Sequence, residues 1–478
     1  MLFRLVLAEL RHRPGRALFL LAGYSLGVAV MVVLLAVGEA MLTQARDRAL
    51  VGGGDVVLVP AGISPELLRS GGATSLYLSI DHARFIQREV LESPRAEEEH
   101  GVRAASPVLA GKLVELSHGG RSVQAVATGE IPSRARAAGA APRLLAGTWR
   151  DSPADSTWVN PSPDELYREI DHFHRPSGAA ARDSTWAEWH YFNVMLSPER
   201  WIYLTLAVGG RIGVPGKWGG HVLLTVREPD GVHRAVTRDV PGAVVRFDTA
   251  GPDLTLGERA LVRQEGGVYH VVAAVGSDSV DLEITPAPRR YFPPAELGGE
   301  GLVSGYVAPA LYAEATGTVC LRTGTGGTRC DRVRRARAYH DHNWGVWRGV
   351  SWEWGSASNE RLSLLYGVVR GDSTDTRGLF AYLVDDRGVR AVLRPRELRV
   401  DEWQTTREGG RPVRVPRRMS FADAARGVSV EIDAQAVHVS DLHRPRRRYF
   451  VQMHGTAMVR ERGRAPERLS GFFETYVE

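Results

Sequence analysis

The chain has 478 residues and a formal net charge of +5. Length alone points to about three domains. The basic excess is scattered, its clusters are short and no nucleic-acid motif accompanies them, which excludes nucleic acid as a partner; no Gly-x-x-x-x-Gly-Lys-[Ser/Thr] loop occurs either, which excludes nucleotide binding by that route.

Arg4, Arg11, Arg13 and Arg16 precede an uncharged, mostly apolar run over residues 17–38, and Glu39 follows it. The run is long enough for one membrane-spanning helix. Its cationic flank predicts a cytoplasmic stub, with the rest of the chain outside, in the periplasm. Residues 1–42 are therefore expected to be stub and transmembrane helix. A cleaved signal peptide is the rival reading. Its apolar core would be shorter, roughly 7–15 residues, and Val37-Gly38-Glu39-Ala40 is a poor cleavage site. Gly23 and Gly27 fit either the ordinary glycine content of a membrane helix or a small-xxx-small packing face.

Residues 43–147 read as a small α+β segment. Strands are expected over 55–60, 102–109 and 121–129, and helical periodicity covers 65–71 and 82–91. Gly52-Gly53-Gly54-Asp55 and Ala104-Ala105-Ser106-Pro107-Val108-Leu109 resemble the periplasmic core of MacB-like ABC-transporter permeases. That resemblance implies an ABC-transporter ATPase and permease as partners. No further run of about twenty apolar residues follows, whereas a complete permease needs several.

Residues 148–184 carry Pro153, Pro161, Pro163 and Pro176 and read as a linker with a helical patch over 165–174. Asp171, His172 and His174 read there as part of a linker helix with solvated histidines. The alternative is a metal or acid–base site. From 185 onward, short alternating runs recur between turn signals, as at 221–227, 268–275 and 280–284, and again at 362–369, 428–438, 449–459 and 471–477. This texture predicts a mainly β fold of two consecutive barrels, 185–330 and 331–478. A barrel of about eight strands can hold one small apolar ligand. Cys320 and Cys330 flank Gly324-Thr325-Gly326-Gly327, so a hairpin would bring them together. Outside the cytoplasm a disulfide follows; two buried free thiols are the alternative. Arg444-Pro445-Arg446-Arg447-Arg448 reads as a solvated turn, or as a contact with anionic lipid head groups.

The densest chemistry is Tyr339-His340-Asp341-His342-Asn343-Trp344-Gly345. On a strand, His340, His342 and Trp344 share one face, and Tyr339, Asp341 and Asn343 the other. Trp347, Trp352 and Trp354 follow, and so many indoles suggest a lined cavity. Upstream stands Glu188-Trp189-His190-Tyr191-Phe192-Asn193. The two motifs, with Gly305-Tyr306 and Gly317-Thr318-Val319, resemble the AttH-like family that includes the carotenoid 1,2-hydratases (hydroxyneurosporene synthases). The resemblance covers roughly residues 155–478; His190 stands where the family usually carries Trp.

It implies two lipocalin-like barrels that bind an apolar, lipid- or terpenoid-like molecule and hydrate or isomerise it by acid catalysis, without a cofactor. The alternative is a non-catalytic carrier or an accessory subunit of an ABC transporter. In the catalytic reading Asp341 is the acid, His340 or His342 orients it or handles water, and Glu188 faces it. Tyr191, Asn193, Tyr306, Tyr339, Asn343, Trp344, Trp352, Trp354 and Glu474 are expected around the substrate, in a cavity shared with His340 and His342. Tryptophan faces stabilise cations, and a buried carboxyl with a raised pKa is a suitable acid. The structural alternative is a buried hydrogen-bond network that fixes the barrels together. A metal reading is also open, because His340 and His342 alternate on one strand face as in several metal sites; a third ligand is needed and no second histidine pair is obvious, so no metal is expected.

Overall fold

The computed structural model describes residues 14–50, 56–60, 78–141, 148–229, 233–299, 302–323, 326–348, 351–370, 379–441 and 449–477. Arg4, Arg11, Arg13, Gly52-Gly53-Gly54-Asp55, the helical run expected over 65–71 and the Arg444–Arg448 cluster lie outside the described residues. The chain divides into two compact units, one of residues 1–79 and 104–151, the other of residues 80–103 and 152–478.

In the first unit a helix runs from Pro14 to Leu50. Its described side chains, Leu18, Phe19, Tyr24 and Leu34 among them, are exposed. Among the described residues no helix is long and apolar enough to cross a membrane, so the spanning helix expected over 17–38 is not supported there. Strands β1 (Val108–His118) and β2 (Arg121–Glu130) form an antiparallel hairpin. The strand expected over 102–109 begins only at Val108.

The second unit takes in the segment 80–103, which the sequence had grouped with 43–147. Its helices, Ile80–Phe85, Ile86–Leu91 and Pro94–His100, bury charged side chains against the rest of this unit. Arg84 Nε donates to the Trp158 carbonyl (2.9 Å), Arg289 Nη1 lies 2.8 Å from Glu89, and Arg95 pairs with Asp385. A hydrophobic pattern shows an amphipathic helix but not which body its polar face will meet, and here ion pairs make that choice.

The rest is the expected mainly β architecture. One twelve-stranded sheet, nearly closed into a barrel, uses β3 (Trp186–Ser197), β4 (Arg200–Gly210), β5 (Trp218–Arg227), β6 (His233–Pro241), β7 (Val245–Phe247), β8 (Leu254–Leu256), β9 (Ala260–Glu265), β10 (Val268–Val275), β11 (Asp278–Pro286), β12 (Phe292–Gly299), β13 (Leu302–Arg322) and β14 (Thr328–Val346). A nine-stranded sheet uses β15 (Ser351–Ser358), β16 (Ser363–Arg370), β17 (Phe380–Asp385), β18 (Gly388–Leu393), β19 (Arg399–Glu408), β20 (Arg411–Asp423), β21 (Val428–Asp441), β22 (Tyr449–Glu461) and β23 (Glu467–Val477). The division between the sheets therefore falls after Val346, not at 330/331. Cys320 and Cys330 are paired across β13 and β14 and joined by a disulfide.

The long β13 and β14 pair through three register shifts, which add twist and let the sheet curl. Sequence-distant β3 and β14 lie side by side, with Tyr191 opposite Asp341, His190 opposite His342 and Glu188 opposite Trp344. This pairing brings the two chemistry-rich motifs together. Each sheet encloses its own apolar core. A third cluster draws on both sheets and is aromatic: Tyr191, Trp201, Tyr203, Tyr306, Tyr339, Trp354, Tyr382 and Phe472. Two positions allow β14 to pack this closely. A Cβ at Gly305 would lie 2.4 Å from the Trp344 ring. At Gly345, with φ +126°, a Cβ would lie 2.3 Å from Ser304 Cα.

Candidate functional site

From Ala338 to Val346 β14 is buried on both faces, with Asn343 only partly so, and its alternation separates two constellations. The odd-numbered face, Tyr339, Asp341 and Asn343, turns toward the aromatic seam between the sheets. A cavity of about 190 Å³ opens there. Trp189, Tyr191, Tyr306, Asp341 and Asn343 line it from the first sheet, and Trp352, Trp354, Phe450, Gln452 and Glu474 from the second.

Asp341 is held on two sides. The Tyr339 hydroxyl donates to Oδ2 (2.7 Å), and Asn343 Nδ2 donates to Oδ1 (2.7 Å). Trp354 Nε1 donates in turn to the Tyr339 oxygen (3.1 Å). Burial pushes the Asp341 carboxyl up to about 8; the charge of Glu474 pushes the same way, while the donors from Tyr339 and Asn343 pull it down. Glu474 accepts from Trp352 Nε1 (3.1 Å) and Gln452 Nε2 (3.3 Å), and burial raises its pKa as well. Two carboxyls that resist ionisation thus share one aromatic cavity. At least one proton stays on the pair near neutral pH, since like charges in a buried site oppose joint ionisation.

The even-numbered face points the other way, into the first barrel. His340 and His342 are fully buried. His342 Nδ1 donates to Asp171 Oδ1 (2.7 Å), and His340 Nε2 lies 3.1 Å from Asp171 Oδ2, which also accepts from the Tyr269 hydroxyl (2.7 Å). His342 Nε2 is 3.0 Å from Glu188 Oε1 but is not aligned as a hydrogen bond. His174 donates its backbone N–H to the same oxygen (2.7 Å), and its Nδ1 lies 3.1 Å away. Its ring stacks on Trp344 at 3.7 Å, nearly parallel. The carboxylates balance the burial cost of charging His342, whose pKa is pushed up to about 9. His190, by contrast, is driven well below its ordinary value by burial; its Nε2 donates to the Pro252 carbonyl (2.9 Å). Two groups here have the composition of a metal site: Asp171, His190 and His340, and His174, Glu188 and His342.

The cavity therefore gathers Asp341, Tyr191, Tyr306, Asn343, Trp352, Trp354 and Glu474, with Tyr339 directly behind Asp341. It does not gather His340, His342, Trp344 or Glu188, which the sequence reading had placed at the same cavity. Strand alternation sends them to the barrel interior. Asn193 is buried opposite Tyr339 and does not line the cavity. Asp171 and His174 correct the linker reading: Asp171 is fully buried and anchors both histidines of β14. A signal was present. Ser162 and Glu165 form a capping box, and Leu166, Tyr167 and Ile170 give the helix Pro163–Ile170 one buried face that ends at Asp171.

No family model matches this sequence, and no curated protein matches it. Solved structures do. An AttH-type protein, NE1406 of Nitrosomonas europaea, matches 64% of this chain and 97% of its own at 14% identity, with a TM-score of 0.44. Kievitone hydratase of Nectria haematococca matches 64% and 93% at 12% identity (TM-score 0.43), and CghA bound to Sch210972 matches 65% and 94% at 13% identity (TM-score 0.41). The overlays are loose and the identities low, so no role passes from these proteins to the residues of this chain.

Proposed function

We propose that the inter-sheet cavity is an acid-catalysis site for an apolar, unsaturated molecule of lipid or terpenoid type. The observation that supports this best is Asp341, a buried carboxyl inclined to keep its proton, facing a cavity walled by indoles. At about 190 Å³ the cavity suits the reacting end of a molecule rather than a long chain. In the reaction, Asp341 gives its proton to one alkene carbon and a carbocation forms at its neighbour. The faces of Trp352 and Trp354 favour that cation over the neutral alkene. Water then adds to the cation and its proton returns to the carboxylate pair, which completes a hydration. Loss of a proton from an adjacent carbon to the same pair instead completes an isomerisation. Tyr339 and Asn343 fix the direction of the Asp341 carboxyl.

The test is turnover of terpenoid and polyene alkenes in ¹⁸O-water and in deuterium oxide. Hydration puts ¹⁸O into product and isomerisation puts deuterium on carbon. Asp341→Asn keeps the shape and should lower either rate about 100- to 10,000-fold. Saturable binding with no label incorporated by the unaltered protein would instead support a carrier that hands its cargo to a transporter. On the sequence alone we also propose that the run at 17–38 anchors the chain with its β unit outside the cytoplasm, beside an ABC-transporter ATPase and permease. The Cys320–Cys330 disulfide fits an oxidising compartment.

A further inference from the structure

We propose that His174, Glu188 and His342 bind a divalent transition-metal ion, zinc being the best match, inside the first barrel on the face of β14 opposite the cavity. Two imidazoles and one carboxylate are a familiar ligand set for zinc, with a fourth position left to water. Their ligating atoms all lie within 4.8 Å of one another. His174 Nδ1 and His342 Nε2 stand 3.1 and 3.0 Å from Glu188 Oε1. Tetrahedral zinc with bonds of about 2.0–2.1 Å separates its ligand atoms by about 3.3 Å. The two distances to Glu188 therefore need to widen by only a few tenths of an ångström to admit an ion.

Three further observations favour a metal over a plain ion pair. First, Glu188 Oε2 is buried with no hydrogen-bond partner, and such atoms are rare in a folded interior unless something else engages them. Second, the outer shell is in place. His342 donates its other nitrogen, Nδ1, to Asp171 Oδ1, and Asp171 is itself held by Tyr269 and His340. A carboxylate behind a histidine in this way keeps the Nδ1 proton in place, so an ion binds at Nε2 by displacing the proton held there, which leaves to solvent. His174 is oriented by its stack on Trp344. Third, the site is reachable: the His174 side chain is 25% exposed while Glu188 and His342 are sealed. The neighbouring group of Asp171, His190 and His340 is a poorer candidate. His340 has both nitrogens engaged, by the Tyr191 carbonyl and by Asp171, which leaves that group only His190 Nδ1 beside the Asp171 carboxylate.

The ion would join the segment around His174 to β3 and β14, so one ligand on each of three chain segments is pinned behind the strand that carries Asp341. The test uses the full, untagged chain in detergent, stripped with a chelator, desalted, and titrated with zinc against a chromophoric competitor. A parallel titration with cobalt reads coordination through visible absorbance. The expected result is one equivalent of zinc per chain and an intense low-coordinate cobalt spectrum. His174→Ala, at the most accessible ligand, should weaken zinc at least tenfold with the circular-dichroism spectrum unchanged. Asp171→Asn, behind His342, should weaken it roughly 10- to 100-fold. Uptake below roughly a tenth of an equivalent by the stripped, folded protein, or unaltered affinity in a folded His174→Ala, would overturn the proposal.

Discussion

Asp341 sets the pH behaviour expected of the cavity. Its pKa rises on folding from an ordinary 3.8 to about 8, with burial the largest cause. The acid form is the one needed for proton donation, so turnover should fall as pH rises through about 8. Stability has the same sign. Between about 4 and 8 the folded state keeps a proton that the unfolded chain releases, so this group's contribution is complete below that window and lost on crossing it. Asp341→Asn has nothing to titrate. Chemical denaturation from pH 5 to 8.5 should show a shallower loss of stability in the variant than in the parent. Parallel curves would mean that Asp341 does not hold its proton. Tyr339→Phe removes a donor that lowers the Asp341 pKa, so the alkaline limb of the rate profile should move to higher pH, at a stability cost of about 1 kcal/mol. The sequence showed Asp341 and the histidines on opposite faces of a strand. It could not show which face met a cavity, because this stretch of β14 is buried on both sides and the cavity's other wall comes from β15, β22 and β23.

At the scale of elements, the pairing of β3 with β14 and the hairpin of β13 with β14 hold the site together. Gly345→Ala forces a Cβ against Ser304 Cα at a backbone angle that L-residues avoid. It should destabilise the unit by roughly 1–3 kcal/mol, read from a urea midpoint. Replacing Cys320 and Cys330 by serine releases a bridge spanning a sequence separation of 10. A loss of about 2–3 kcal/mol is expected, and an equal midpoint in the reduced parent would be the control. Strand existence was readable from alternation and turns, as at β10 and β11. The sheet boundary was not, because an unusually long strand after the disulfide still reads as the start of something new. The helix Pro163–Ile170 was readable as a helix. Its destination was not, since Asp171 is held by residues about 170 positions further along.

For the whole molecule, the chain order and the compact units disagree. Residues 80–103 fold with 152–478 while 104–151 fold elsewhere. Arg289 and Asp385 rely on Glu89 and Arg95 for their buried ion pairs. Limited proteolysis confined to 104–151 should therefore leave the fragment carrying 80–103 bound to the β-rich fragment on gel filtration. Separation of the two without denaturant would show that these ion pairs do not hold. Composition and patterning made the mainly β body legible; the interleaving was hidden because it depends on partners far apart in sequence.

The two-sidedness of β14 has a consequence for how this stretch can change over time. Its odd positions carry the cavity's acid and its even positions carry imidazoles for the barrel, so each letter can be altered with little change of meaning at its neighbours. A single inserted or deleted residue between 339 and 345 would exchange the two scripts at once, turning the carboxyl into the barrel and the histidines into the cavity. Lineages of this chain should therefore vary in spelling along the strand while keeping its length fixed.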